Sequence, residues 1–159
     1  MARQKITTFL WYDGQAEEAA TLYTSLFENS RILEVIRYGE GGPGPKGSVM
    51  TVKFALDDVE FVALNGGPMY RFTEAISLFV SCGSQREVDD LWTKLSAGGE
   101  EGPCGWLKDR FGLSWQIIPE ALPRLIGDPD AAKSQRVVGA MLQMKKLDIA
   151  RLEAAARGE

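Results

Sequence analysis

Apolar and polar positions alternate along Lys5–Tyr12 (KITTFLWY), with Thr8, Leu10 and Tyr12 on one face and Thr7, Phe9 and Trp11 on the other. This period of two predicts a strand, ended by Asp13-Gly14. From Gln15 to Phe27 the period lengthens: Ala19, Leu22, Tyr23 and Leu26 recur at helical spacing, and Glu17 and Glu18 lie near the N-terminal end, where they favour the helix dipole. Ser30–Tyr38 reads as a second strand, and Gly39–Gly47 (GEGGPGPKG) is too rich in Gly and Pro to be anything but a loop. Ser48–Leu56 and Val59–Leu64 predict a hairpin turning at Asp57-Asp58, followed by a second loop, Asn65–Thr73, that carries Met69, Tyr70 and Phe72.

The pattern then begins again. Ile76–Ser81 predicts a strand and Ser84–Ser96 a helix with apolar Val88, Leu91, Trp92 and Leu95, stopped by Gly98-Gly99. A shift of 69 residues carries Ala19, Leu22, Tyr23 and Leu26 onto those four positions, Thr8 onto Ser77 and Trp11 onto Val80, which points to an internal duplication. The stretch Cys104–Pro119 (CGWLKDRFGLSWQIIP) predicts a short run, a turn at Asp109-Arg110-Phe111-Gly112 and a strand with Ser114, Gln116 and Ile118 on one face and Leu113, Trp115 and Ile117 on the other. Gln116 is polar within an apolar strand, so it is either a satisfied core group or a residue facing a cavity. Beyond it, Asp128-Pro129-Asp130 predicts a helix start with Asp128 as N-cap, and Val137, Val138, Met141 and Met144 form an apolar stripe. Asp148 caps a second short helix with Ile149, Leu152 and Ala155. These stripes either cover their own sheet or pack on a second subunit.

The expected class is α+β: one domain over residues 1–122, built from tandem βαβββ modules at 5–68 and 75–119, with a C-terminal helical extension over 123–159. Neither module can bury a sheet face alone, so the two are expected to pair around a cup with the helices outside.

Composition narrows the chemistry. The chain of 159 residues contains no histidine, which removes Ser-His and Cys-His pairs, histidine bases and histidine-containing metal sites together. Net charge is −4 with scattered Lys and Arg, so no nucleic-acid partner is expected. With no long apolar stretch and no leader-like segment, no membrane partner is expected and a cytoplasmic location is, with Cys82 and Cys104 as free thiols.

Thr7–Phe27 (TTFLWYDGQAEEAATLYTSLF), Arg37–Val49 (RYGEGGPGPKGSV), Ile76–Ser84 (ISLFVSCGS), Cys104–Pro119 and the tail Asp128–Ala155 together resemble the PhnB-like, 3-demethylubiquinone-9 3-methyltransferase-like branch of the vicinal oxygen chelate (glyoxalase/bleomycin-resistance/dioxygenase) superfamily. The resemblance implies the glyoxalase-like fold, a homodimer and, in catalytic members, metal ligands from four strands. Carried over, those positions hold Thr8, Ser77 and Gln116, with Val62 near the fourth and Thr51 where some relatives carry histidine. Hydroxyls and an amide are poor ligands for a divalent transition metal, so neither a stable metal nor another cofactor is expected.

The function expected is therefore metal-free binding of an unidentified small molecule. Pocket candidates are Thr8, Tyr12, Thr51, Ser77, Trp106 and Gln116. The alternative is an enzyme of the same superfamily, of lyase, isomerase or oxygenase type, using Lys108, Asp109 or Cys104 as acid/base groups with a weak metal or organic cofactor. A methyltransferase is a further alternative, although the Gly-rich Gly39–Gly47 loop lies between predicted strands and not at a helix N-terminus. Plainer readings compete. Cys104 is more simply an inert thiol, Lys108-Asp109 a solvated turn, and Trp11, Trp92 and Trp115 core residues packing strand on helix.

Overall fold

The computed structural model describes residues 3–159. The chain divides into two compact units, Met1–Arg71 and Phe72–Glu159. In the first, β1 (Thr8–Tyr12), α1 (Ala16–Thr24), β2 (Arg31–Arg37), β3 (Val49–Leu56) and β4 (Val59–Asn65) form a four-stranded sheet of order β1-β4-β3-β2 under one helix. β1 runs parallel to β4, and the remaining pairs are antiparallel.

α1 buries a face of small residues, Ala16, Ala19 and Ala20, together with Tyr23. Small side chains let the helix lie close to the sheet, where Leu10, Tyr12, Val52, Phe54 and Ala63 are buried. Asn65, expected to open a loop, ends β4 instead: its Oδ1 accepts from Ala16 N at the helix start (2.8 Å) and its Nδ2 donates to Val49 O (3.0 Å). The hairpin turn is at Asp57-Asp58 as expected, both with positive φ (48° and 62°), the conformation that a two-residue turn requires.

The second unit repeats the design. β5 (Ser77–Cys82), α2 (Gln85–Ser96), β6 (Glu100–Glu101), β7 (Trp106–Lys108) and β8 (Ser114–Pro119) form a sheet of order β5-β8-β7-β6, again with a parallel first pair. Ser84 caps α2 by accepting from Glu87 N (3.2 Å), while Glu87 Oε2 accepts from Gly83 N (2.8 Å). Val88, Leu91, Trp92 and Leu95 are buried, as are Leu107, Trp115 and Ile117 of the sheet. The short strand β6 was not expected. Its hairpin with β7 brings Gly99 so near Lys108 O that a Cβ would lie 2.1 Å from it, so the approach requires glycine.

The identical strand order supports duplication, but the constant shift of 69 does not survive. The buried sets Ala16, Ala19, Ala20, Tyr23 and Val88, Leu91, Trp92, Leu95 differ by 72, and Leu10 and Tyr12 correspond to Val80 and Cys82, a difference of 70.

Three helices complete the second unit: α3 (Ala121–Ile126), which was not expected, α4 (Ala131–Met141) and α5 (Ile149–Arg157). Val137, Met144, Leu147, Leu152 and Ala156 join Ile118, Leu122 and Leu125 in one buried cluster. Val137 and Met144 of the apolar stripe are thus buried within their own unit, with Met141 packed against the cluster. Asp148 caps α5 as expected, its side chain accepting from Arg151 N (3.0 Å). The cap of α4 is Asp130, which accepts from Ala132 N and Lys133 N, and Asp128 stands two residues before it, accepting from Asp130 N (2.9 Å). Among the described residues no helix is long and apolar enough to cross a membrane.

Candidate functional site

The second unit's sheet has one face turned to α2 and one turned away. Alternation along β8 puts Trp115 and Ile117 on the helix side, and Ser114, Gln116 and Ile118 on the other. Cross-strand register arranges that outer face in rows. Ser77, Ser114, Lys108 and Glu100 form one row, and Phe79, Gln116 and Trp106 the next. Ile118 at the far end is covered by the α3–α5 cluster.

Gln116 Nε2 donates to Ser77 Oγ at 2.9 Å, so two of the expected site residues meet directly. Beside them Ser114 is 1% exposed, and its Oγ is buried with no hydrogen-bond partner among the described residues. Lys108 forms an ion pair with Glu74. The hydrogen bond between the two side chains, reinforced by their charges, lowers the Glu74 carboxyl from its ordinary value and raises the Lys108 ammonium. Trp106 is half-buried, and Phe79 is 55% exposed on the same face. The result is a patch of donors with an aromatic residue on each side of the amide.

The remaining candidates are placed elsewhere. Thr8 and Tyr12 lie on the α1 side of the first unit's sheet, since Leu10 and Tyr12 are buried there and the Tyr12 hydroxyl meets the Tyr23 hydroxyl at 3.0 Å. Tyr12 is therefore a core residue and not a pocket-edge hydroxyl. It is Phe9 and Trp11 that face away from α1, which corrects the expected packing of Trp11 against the helix: its indole donates to Gly67 O (2.8 Å) and meets the Tyr70 ring edge-on. Both faces of TTFLWY are apolar enough to be the core side, so alternation alone could not orient the strand. Thr51 lies on the side away from α1, in register with Leu64 and Ile36.

Asp109 is not paired with Lys108 as an acid/base couple. It is 2% exposed, and its carboxylate accepts from Phe111 N (2.9 Å), Leu113 N (3.0 Å) and the Trp115 indole (2.9 Å). It thereby fixes the turn in which Gly112 takes a φ of 89°. Cys104 adopts a positive φ of 57° in the loop before β7, with its N–H donated to Met144 O (2.8 Å). Cys82 is buried, and burial raises its thiol to about 12, which removes it as a nucleophile near neutral pH.

The donor set does not suit a metal. Ser77 and Gln116 offer a hydroxyl and an amide already bonded to each other, and among the described residues no three His, Cys, Asp or Glu side chains come together. The residues not singled out from the sequence are Ser114, Phe79 and Glu74. Ser114 and Phe79 stand two positions from Gln116 and Ser77 on their strands, so the period of two alone would have found them. Glu74 carries no comparable signal, because only the fold brings it to Lys108.

Comparison with known proteins agrees with this architecture. Residues 4–118 match the family described as 3-demethylubiquinone-9 3-methyltransferase. A PhnB protein from Bacillus cereus is 40% identical over 73% of this chain and 99% of its own, with a TM-score of 0.66. A protein from Pseudomonas aeruginosa, 19% identical over 74% of this chain and 98% of its own, has a TM-score of 0.61. The fosfomycin resistance protein FosX from Listeria monocytogenes shares the fold at 15% identity over 75% of this chain and 94% of its own, with a TM-score of 0.50. No curated protein sequence matches. With a family match over most of its length and a relative of this similarity, the chain belongs to the 3-demethylubiquinone-9 3-methyltransferase, PhnB-like family.

Proposed function

We propose that the protein binds a small organic molecule, without a metal, on the Gln116 face of its second unit, and that it does so as a homodimer. The observation that carries the reading is the Gln116–Ser77 hydrogen bond at positions where the superfamily resemblance implies metal ligands. Hydroxyl and amide groups recognise an organic ligand through hydrogen bonds, whereas a metal site at these positions would need carboxylate or imidazole. Exposed apolar residues support the homodimer: Phe9, Ile32, Val35 and Ile36 on the first unit's sheet.

The methyltransferase named in the family description is less well supported by this chain. Its Gly-rich loop joins the antiparallel strands β2 and β3, and both sheets are mixed, unlike the doubly wound parallel sheet on which the strand–loop–helix nucleotide fingerprint sits. A superfamily enzyme using Lys108 as an acid/base group is the second reading, favoured by the position of Lys108 in the same row as Ser77 and Ser114.

The test is a titration of isotope-labelled protein with 2-naphthamide, a neutral planar probe, followed by nuclear magnetic resonance. The Trp106 indole and Gln116 side-chain amide signals are expected to shift with saturation. Shifts confined to other residues, or none, would count against the binding face.

A further inference from the structure

We infer that the ligand is a planar aromatic cation bearing N–H donors, its ring held between Phe79 and Trp106 and its N–H donated to Gln116 Oε1. This rests on the binding face proposed above and names the chemistry that face selects. The Gln116 amide is half used: its Nε2 donates to Ser77 Oγ (2.9 Å), whereas its Oε1 receives no donor among the described residues and is open to solvent. The orientation fixed by Ser77 therefore presents an acceptor, which selects a donor in the ligand. Ser114 takes no part, because its side chain is buried.

The strand register gives the ring its place. Phe79 and Trp106 stand one strand to each side of Gln116, the first 55% exposed and the second half-buried. With neighbouring strands about 4.8 Å apart, their Cα atoms are about 10 Å apart, room for one planar ring at about 3.5–4.0 Å from each aromatic wall. Charge on the adjacent row sets its sign. Lys108 lies beside Glu100 across the β6–β7 pair and is ion-paired with Glu74, so two carboxylates face one ammonium and one negative charge is left over. The Glu74 hydrogen bond and, to a smaller extent, the Glu100 charge hold the Lys108 ammonium above its ordinary value. Excess negative charge attracts a cation and repels an anion, and the π faces of Phe79 and Trp106 attract a cation further.

The test compares probes of one shape in the intact protein: 2-naphthamidine, a planar N–H cation, neutral 2-naphthamide and anionic 2-naphthoate. The amidine is expected to bind about tenfold or more tightly than the amide, the ratio that one charge-assisted hydrogen bond supplies, with the naphthoate weakest. That advantage is expected to shrink as salt is raised, because Glu74 and Glu100 are exposed. Glu100→Gln is expected to weaken amidine binding about threefold while leaving naphthamide affinity within about twofold. Gln116→Leu, which deletes the acceptor, is expected to remove most of the amidine's advantage, and an unchanged advantage would overturn the hydrogen bond to Oε1. Equal affinity for amidine and amide in the native protein, or tighter binding of the naphthoate, would overturn the cation assignment and leave the binding face standing. Failure of all the probes to shift the Trp106 indole and Gln116 side-chain amide signals would overturn both.

Discussion

Asp109 shows how one side chain can look catalytic in the sequence and be structural in the fold. It follows Lys108 and precedes a glycine turn, yet its carboxylate accepts from two backbone N–H groups and the Trp115 indole. An Asn at this position keeps one acceptor oxygen but sets an N–H against the indole N–H. Asp109→Asn is expected to cost about 2 kcal/mol in denaturant unfolding, and Trp115→Phe is expected to cost less in that background than in the native protein. Additive losses in the double-mutant cycle would show that the indole does not depend on this carboxylate. On the outer face, Gln116 was legible as a polar position set apart from its strand, because an amide interrupts an apolar run. Thr8 and Tyr12 were not, because a strand with apolar residues on both faces gives no sign of which side its helix will cover.

At the scale of elements, the long periodic segments were the legible ones: both module helices, the Asp57-Asp58 hairpin and the strand through Gln116 lie within a residue or two of their expected bounds or closer, except that α1 stops at Thr24, short of Phe27. What the sequence hid were short or contact-dependent pieces. β6 contains two glutamates and exists only because Gly99 admits Lys108 O beside it. α3 is a six-residue turn of helix held by Leu122 and Leu125 in the C-terminal cluster. Asp128 and Asp130 both satisfy the chemistry of a cap, and only the backbone shows that Asp130 performs it. The cluster also decides what the tail does. Leu152 is fully buried among Ile118, Leu122 and Leu147, so Leu152→Ala is expected to cost about 2–5 kcal/mol of unfolding free energy. A loss well under about 1 kcal/mol would mean that the tail packs loosely and is not part of the second unit's core.

At the scale of the whole molecule, duplication supplies two sheets of the same topology whose chemistry has diverged. The first unit's strands place apolar Phe9, Trp11 and Leu64 on the side away from the helix, whereas the second unit's place Ser77, Ser114, Gln116 and Lys108 there. A fold whose relatives include a resistance protein does not by itself assign an activity, so the account rests on the donor set of that second face. Native mass spectrometry of freshly purified protein, beside elemental analysis, tests it most directly. The account predicts a dimer mass with no stoichiometric divalent metal and, where a ligand is retained, an organic mass released on unfolding. A divalent metal bound one per chain would contradict it.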